Sequence, residues 1–434
     1  MKVARWKVLG VAGALVLGYA ATTQAAQIKV DEDTFADFGY NMKIMYQKFD
    51  EREKGDAGWK KNVFDIKDSR FYISGQVSKM VQFYGEWNAS GAYKEPTAGY
   101  AKDNKVGLGE AGVNFVFMPE LQVRAGKVRV PFTRYQMTSG YSLIIPTDAW
   151  YDKGGAGANG VFKNIIKDIA EDKDRGIEFT NPLDLIGKAD GGLVVHGDIA
   201  NGMFRYNVGV FNEDKRKDEA FKGLQWVARV EFTPTMLGYA PESTTSPHGK
   251  VKDTYLGKKD VLTIGLGYYK EKLYDKEYTN YKSLEVDGWT ADLFFEKKFG
   301  CWVPNLQIGY IKLNDSHFYN DISSNVWKKG DTSLWYAQGQ LLYDAVVGFG
   351  KPALAIRYEN VEADGVYTTN YTTKKDFAFD RWGVAFNYYL KGQAAKVSLG
   401  FDKVEYDDAA KAFLKYSEYE DSITDYYLYI QTMF

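Results

Sequence analysis

The sequence predicts an all-β protein whose strands close into a transmembrane antiparallel barrel. Three observations indicate this fold. Segments of about ten residues alternate apolar and polar side chains along most of the chain. The chain opens with an apolar stretch typical of a secretory signal, and it closes on a strand that ends in phenylalanine. Beyond the N-terminus no stretch approaches the roughly 18 consecutive apolar residues of a membrane helix, which excludes a helical membrane protein.

The N-terminus is predicted to be a cleaved signal. Basic residues near the start precede an apolar run that ends near Ala21, and small residues follow up to Ala25. This is the three-part layout of a secretory signal peptide. We therefore expect a signal over residues 1–25, export from the cytoplasm, and a single barrel domain over residues 26–434.

The composition agrees with a barrel in a membrane. Aromatic residues make up 16% of the chain, with 33 tyrosines and 10 tryptophans, and such residues form the girdles of membrane barrels. The formal net charge of −2 is not basic enough to indicate a nucleic-acid partner. Cys301 is the single cysteine, so no intramolecular disulfide is possible.

Sixteen segments show the two-residue alternation of a strand. A segment over 175–199 is interrupted by Pro182 and the pair Gly191-Gly192. If it forms two strands, the count is 17, and a barrel with an even number of strands would need one more, making 18. Short turns mostly alternate with long polar loops, as in outer-membrane barrels, but the connection 237–259 is long where a short turn is expected. The predicted strands are 37–47, 68–75, 80–87, 108–117, 121–130, 175–199, 203–211, 225–232, 261–271, 289–299, 305–313, 334–343, 353–361, 381–390, 396–405 and 422–434.

The stretch 106–151 is predicted to supply a constriction loop. It forms a hairpin that turns at Met118-Pro119-Glu120 and then runs through Pro131 into a long loop expected to fold inward. Between residues 122 and 151, four cations near the loop entrance are accompanied by a single acid, Asp148. Lys127 and Arg129 fall on the same side of the strand as the apolar residues Val123 and Ala125, which is the side expected to face lipid. They reach the lumen only if a bulge near Gly126 turns the following residues to the other side. The four cations are Arg124, Lys127, Arg129 and Arg134.

Charged residues of both signs are predicted on the lumen wall once the apolar face is set toward lipid. A mixed wall gives weak selectivity, whereas a selective pore concentrates one sign at its narrowest point. The predicted wall cations are Lys43, Arg124, Arg205, Arg229, Arg357 and Arg381, and the predicted wall anions are Glu86, Glu110, Glu178, Glu231, Asp292, Glu296, Glu359 and Asp402.

The four cations at the loop entrance leave the ion preference open. Guanidinium groups bind oxyanions bidentately, so the cluster would favour phosphate, sulfate or small carboxylates. Alternatively, these side chains pair with Glu110, Glu178 or loop acids and hold the loop to the wall. A weakly selective pore would then result, and a preference for cations is the third alternative.

Several segments resemble the phosphate-selective porins O and P. They are SRFYISGQVSKMVQFYGEW (69–87), VRAGKVRVPFTRYQMTSG (123–140), DRGIEF (174–179), FRYNVGVFN (204–212) and WGVAFNYYLKGQAAKVSLGFDKVEY (382–406). The last strand, with Tyr426, Leu428 and Ile430 on one face and Phe434 at its end, also resembles the terminal strand of outer-membrane barrels. The resemblance implies a 16-stranded, usually trimeric barrel in outer-membrane lipid, with inward-folded loops and small hydrophilic solutes or anions as its cargo.

No catalytic, metal or cofactor site is predicted. The three histidines, His196, His248 and His317, are scattered, and no HExxH or phosphate-binding loop occurs. A barrel that sheathes another protein, such as an electron carrier, is the competing class. It requires a lumen wide enough for a protein, which 16 strands and an inward loop disfavour.

Overall fold

A computed structural model describes most of the chain beyond the predicted signal. The described residues are 26–48, 50, 62–89, 106–147, 188–212, 224–242, 247–274, 283–321, 326–367, 374–409 and 422–434. The predicted signal 1–25 lies outside them. So do residues 148–187, which include the end of the stretch 106–151 with Asp148 and the first part of the predicted strand 175–199 with Glu178.

Nearly all described secondary structure is β-strand. A short helix, α1 (Arg134–Met137), follows β6, and a 3-10 turn covers Thr235–Leu237. No described helix is both long and apolar enough to cross a membrane. The strands are β1 (Ala26–Lys29), β2 (Phe35–Lys48), β3 (Asn62–Ser78), β4 (Val81–Ala89), β5 (Gly107–Met118), β6 (Leu121–Arg129), β7 (Ala189–Ile199), β8 (Phe204–Asn212), β9 (Leu224–Phe232), β10 (Val261–Tyr274), β11 (Ser283–Glu296), β12 (Trp302–Asp321), β13 (Val326–Tyr343), β14 (Lys351–Tyr367), β15 (Lys374–Tyr389), β16 (Ala395–Tyr406) and β17 (Ser422–Met433).

The strands β2 to β17 form a closed barrel. Each pairs antiparallel with the next, and β17 returns to β2 in the register Tyr426↔Lys48 to Met433↔Asn41. The predicted number of sixteen is confirmed, and the alternative of 18 is wrong. The described part of the doubtful segment is one strand, β7, because the backbone of Gly191 and Gly192 stays extended and pairs with β6 and β8.

An additional strand, β1, was not predicted. It pairs with the first residues of β2, from Ala26↔Phe38 to Lys29↔Phe35. The terminal residue Phe434 exchanges two backbone hydrogen bonds of 3.0 Å with Tyr40 on the same edge of β2. Strand β1 therefore continues the edge pairing of β2 beyond the point where β17 ends.

Alternate side chains face opposite sides of the barrel wall. On β14, Leu354 and Ile356 expose 50% and 49% of their surface, whereas Arg357 exposes 2% and Glu359 1%. This is the apolar-outside, polar-inside arrangement of a barrel surrounded by lipid. Tryptophans with at least two fifths of their surface exposed lie on six strands of the described barrel: Trp87, Trp226, Trp289, Trp302, Trp335 and Trp382 are on β4, β9, β11, β12, β13 and β15.

The two ends of the barrel differ in their connections. We call one the turn end because β3–β4, β5–β6, β7–β8, β11–β12, β13–β14 and β15–β16 are joined there by short turns. At the β7–β8 turn, Ala200, Asn201 and Gly202 have positive φ angles, which are typical of a tight hairpin turn. The connection between β9 and β10, residues 233–260, also starts at the turn end but is much longer, as predicted.

Candidate pore constriction

The connection after β6 folds into the barrel, as predicted. We call its described part, residues 130–147, the inward loop. Helix α1 begins it, with the Thr133 hydroxyl accepting from the Gln136 backbone and the Gln136 side chain accepting from the Thr133 backbone in a capping box. Val130, Phe132 and Ile145 each expose 1% of their surface or less, which places the loop inside the wall.

Side chains of the wall and of one turn hold the inward loop by its backbone carbonyls. Since a buried carbonyl group must find a donor, these bonds fix the path of the loop from β6 toward β14–β17. Several of the donors are cations. The donor and acceptor residues are Arg229 and Phe132 (3.2 Å), Arg129 and Gln136 (2.6 Å), Lys43 and Gly140 (2.5 Å), Gln431 and Tyr141 (2.9 Å), Gln393 and Ser142 (3.3 Å), Lys396 and Leu143 (2.7 Å), Asn387 and Ile144 (2.7 Å), and Arg357 and Thr147 (3.2 Å).

A second segment enters the barrel from the turn end. We call it the β9–β10 segment, residues 233–260, described at 233–242 and 247–260. Val251 bridges Thr138 in parallel; its carbonyl accepts from Ser139 N at 2.9 Å and its N–H donates to Met137 O at 3.0 Å. The two segments therefore pair with each other across the lumen, although they come from opposite ends of the barrel.

Asp253 connects both segments to the wall. Its carboxylate accepts from Ile144 N (2.8 Å) on the inward loop and from Gln307 (2.8 Å) and Gln338 (3.1 Å) on β12 and β13. Its backbone N–H donates to the Ser142 hydroxyl at 3.0 Å. Asp253 exposes 1% of its surface, and this burial raises the pKa of its carboxyl group. No ion pair with Asp253 occurs among the described residues.

Arg134 forms a buried ion pair with the β9–β10 segment. Both of its terminal nitrogens donate to Glu242, one at 2.7 Å, and one also donates to Lys252 O at 2.8 Å. The guanidinium carbon lies 3.8 Å from the ring centroid of Phe294. Burial would raise the pKa of Glu242, but the adjacent Arg134 guanidinium lowers it below its usual value. Arg134 thus binds the protein itself.

The other three predicted loop-entrance cations also have partners in the protein. Arg124 exposes 1% of its surface and donates to Pro247 O at 2.7 Å, and no carboxylate pairs with it among the described residues. Arg129 pairs with Glu110 at 2.8 Å. Lys127 is half-buried and donates to Leu108 O at 2.5 Å on the neighbouring strand. The structure therefore does not bring the four cations together around one open space.

The pairing of β5 with β6 has no bulge at Gly126, the condition set for Lys127 and Arg129 to face the lumen. The pairing of β5 and β6 runs through Gly112↔Gly126 and Ala111↔Lys127 without a shift, and the irregularity lies nearer the turn, between Val116 and Met118. Gly126 instead has a φ of +130°, and a Cβ there would lie 2.3 Å from Ala111 O. Glycine alone permits this close, strongly twisted pairing.

The charged wall residues named from sequence are buried, and most of them are ion-paired. Lys43, Glu86, Glu110, Arg205, Arg229, Arg357 and Arg381 each expose less than a tenth of their surface. Neighbouring arginines share carboxylates in two groups, one on β7 to β11 and one on β14 to β16, so their charge is compensated locally. The pairs are Arg205 with Asp198 (3.3 Å) and Glu231 (3.1 Å), Arg229 with Glu231 (3.1 Å) and Asp292 (2.7 Å), Arg357 with Glu359 (3.7 Å) and Asp402 (3.5 Å), and Arg381 with Glu359 (3.1 Å) and Asp402 (3.0 Å).

Lys250 of the β9–β10 segment completes a chain of alternating charges on β3 to β6. It lies between two wall carboxylates and was not singled out from the sequence. The unusual length of the connection 237–259 was the feature of the sequence that could have drawn attention to Lys250. The links are Asp68–Arg70 (2.7 Å), Arg70–Glu86 (2.8 Å), Glu86–Lys250 (2.9 Å), Lys250–Glu110 (3.1 Å) and Glu110–Arg129 (2.8 Å).

Metal-ligating side chains do not cluster in the part of the chain that the structure describes, where no group of three His, Cys, Asp or Glu residues is close enough to hold an ion. His196 on β7 lies 2.9 Å from Asn114 Oδ1. His248 lies on the β9–β10 segment and His317 on β12, so the three histidines come from different elements of the chain.

His248 is a half-buried side chain on the β9–β10 segment. Its ring centroid lies 4.6 Å from that of Tyr84, and its Nδ1 has no hydrogen-bond partner among the described residues. Burial and then the Lys250 ammonium lower the pKa of His248 from 6.5 to about 3, against the opposing effect of two carboxylates. The charged groups that face it are Lys250 on its own segment, Glu86 on β4, Glu110 on β5 and Arg124 on β6.

We expect acid to weaken the docking of the β9–β10 segment through His248. Because the pKa is lower in the docked state, the stabilisation is fully present above about pH 6.5 and is lost as the pH falls toward 3. His248→Phe keeps a ring against Tyr84 and removes the titration. Lowering the pH from 7 to 4 should therefore reduce the melting temperature less in this variant than in the wild type. An equal decrease in both proteins would contradict the assignment.

A closed antiparallel barrel, apolar outside and charged inside, with a loop folded into its lumen, has the architecture of a porin. The chain belongs to the family of phosphate-selective porins O and P, whose sequence profile matches residues 37–286. It is 24% identical over 315 residues to an uncharacterized protein of Aquifex aeolicus (strain VF5), covering 69% of this chain and 63% of that protein's length.

The barrel is also similar to a solved porin structure. The Salmonella typhi OmpF complex with daunomycin superposes with a TM-score of 0.56 and 10% sequence identity, over 94% of this chain and 100% of that chain. At this identity the likeness concerns the fold alone, and it agrees with the family assignment.

Proposed function

We propose that the protein is an outer-membrane channel for the passive diffusion of small hydrophilic solutes and ions. The observation that carries this proposal is the closed sixteen-strand barrel with exposed apolar side chains outside and charged side chains inside. Among the described residues, the inward-facing charges are mostly paired with one another, which suits the wall of a water-filled path. Membership in the porin family supports the same function.

We further propose that selectivity among ions is weak, with any preference for oxyanions such as phosphate being modest. The wall arginines near Glu231 and Glu359 are compensated by carboxylates, and Arg124, Arg129 and Arg134 are almost completely buried. A strongly selective pore would present one sign of charge at its narrowest point. The alternative of a barrel that sheathes another protein is disfavoured because two segments already occupy the lumen.

The protein is further proposed to reach the outer membrane through a signal over residues 1–25 and to assemble there as a homotrimer. The family supports the location and the assembly. Wide exposure of apolar side chains, such as Leu399 at 59%, supports contact with lipid or with another subunit. The oligomeric state can be measured by mass determination in detergent.

Recordings in planar lipid bilayers test the channel function. Purified full-length protein should give stable, stepwise conductance that is ohmic at low voltage. A salt gradient of potassium chloride, and then of potassium phosphate, gives the reversal potential and so the ion preference. Absence of conductance steps would overturn the proposal, and a large phosphate preference over chloride would overturn its weak-selectivity part.

A further inference from the structure

Lys252 differs from the inward-facing cations described above. They either pair with carboxylates, as Lys250 does with Glu86 and Glu110, or donate to loop carbonyls while buried, as Arg124 does. Lys252 is exposed, and no carboxylate pairs with it among the described residues. It therefore carries positive charge that no carboxylate of the described residues compensates locally.

The backbone around Lys252 is fixed inside the barrel. Val251 pairs with Thr138 of the inward loop, and Asp253 is bonded to Gln307 on the wall. The carbonyl of Lys252 itself accepts from Arg134 at 2.8 Å. Because both neighbours are held at the inward loop or the wall, the exposed Lys252 side chain meets water within the lumen rather than outside the barrel.

The local geometry gives Lys252 a defined place along the pore. Val251 exposes 3% of its surface and Asp253 1%, so the residues on either side turn into packed surroundings while Lys252 turns toward solvent. The ammonium thus projects from the rigid ribbon that the β9–β10 segment forms with the inward loop. Charge on a rigid element near a narrow path acts on every ion that passes.

We propose that Lys252 is a specificity-determining residue of the channel, and that it raises the permeability of small anions relative to cations from the turn end of the lumen. This inference rests on the proposed channel function. In water, a unit charge about 6 Å from the ion path changes the local concentration of each ion by roughly threefold, in opposite directions for the two signs. Its removal should therefore lower the anion-to-cation permeability ratio by roughly threefold to tenfold.

The test is the reversal potential of full-length channels in a potassium chloride gradient. Lys252→Met should shift it toward cation preference, and Lys252→Arg should leave it close to the wild-type value. Lys79→Met is the matched control, because Lys79 is a lysine at the same end of the barrel whose side chain is 83% exposed on the β3–β4 turn, where its only described ion pair, with Asp33, is at 3.5 Å. This control should leave the reversal potential unchanged.

A chemical variant separates charge from structure. Cys301 is exposed, so Cys301→Ser supplies a background without thiols, into which Lys252→Cys is introduced. A positively charged thiol reagent applied to the inserted channel should restore the anion preference, and a neutral reagent should not. A reversal potential that is equal in wild type, Lys252→Met and modified channels would overturn the inference while leaving the channel function intact. Absence of conductance in the wild type would overturn the channel function instead.

Discussion

Replacing Arg134 by methionine is expected to detach the β9–β10 segment from the inward loop. Methionine retains much of the side-chain volume against Phe294 but leaves Glu242, which exposes 0% of its surface, without its cation. Breaking a buried ion pair by removing one partner costs about 3–5 kcal/mol. Hydrogen exchange of backbone amides in 130–147 and 247–254 should accelerate by roughly a hundredfold or more, since each 1.4 kcal/mol is tenfold.

The double variant Arg134→Met with Glu242→Gln is the control for this prediction. It removes the uncompensated charge, so a large part of the lost protection should return. The Tyr255 hydroxyl, which donates to Glu242 at 2.8 Å, keeps an acceptor in glutamine. Exchange in the single variant that matches the wild type would show that the pair does not hold the two segments together.

Replacing Asp253 by alanine is expected to widen and destabilise the conducting path. The change deprives the Ile144 N–H and the Gln338 amide of their carboxylate acceptor, whereas the Gln307 amide keeps the backbone carbonyl of residue 253 at 3.0 Å. Each buried donor left without a partner costs about 1–3 kcal/mol. Released from the wall, the inward loop should fluctuate, so single-channel recordings should show larger mean conductance and more open-channel noise than the wild type.

Asp260→Ala provides a matched control for Asp253. Asp260 ends the same segment, but its carboxylate accepts from Lys298 N at the rim and does not contact the inward loop. Its loss should leave conductance and noise at the wild-type level. If Asp253→Ala channels show the same conductance and open-channel noise as Asp260→Ala channels, the Asp253 carboxylate does not hold the inward loop in place.

The strands of the barrel could be predicted because lipid outside and charge inside impose a period of two on each sequence segment. The ends of the strands could not. The predicted strands 305–313 and 334–343 are only parts of β12 (Trp302–Asp321) and β13 (Val326–Tyr343). Their outer residues pair beyond the alternating stretch, where both faces can be polar, so hydrogen bonding continues after the sequence pattern ends.

The partners of the loop-entrance cations could not be predicted from local sequence. Arg134 pairs with Glu242, 108 residues away, and Arg124 binds Pro247, 123 residues away. The sequence did suggest that such cations could hold the loop to the wall. Arg129, which pairs with Glu110 and donates to Gln136 O, does so, whereas Arg124 and Arg134 bind the β9–β10 segment. The anomalous length of 237–259 was a sign of that segment, but nothing local indicates that it folds inward.

The closing contact of the barrel also determines when the barrel can form. Strand β2 is among the first made during synthesis, and its partner β17 is the last, with Phe434 bonded to Tyr40 at the final residue. Bringing together ends that are this far apart carries the largest loop-closure entropy available to the chain. The part of this edge from Tyr40 to Lys48 therefore remains unpaired until β17 has been made, and over that time it must be shielded from pairing with other chains.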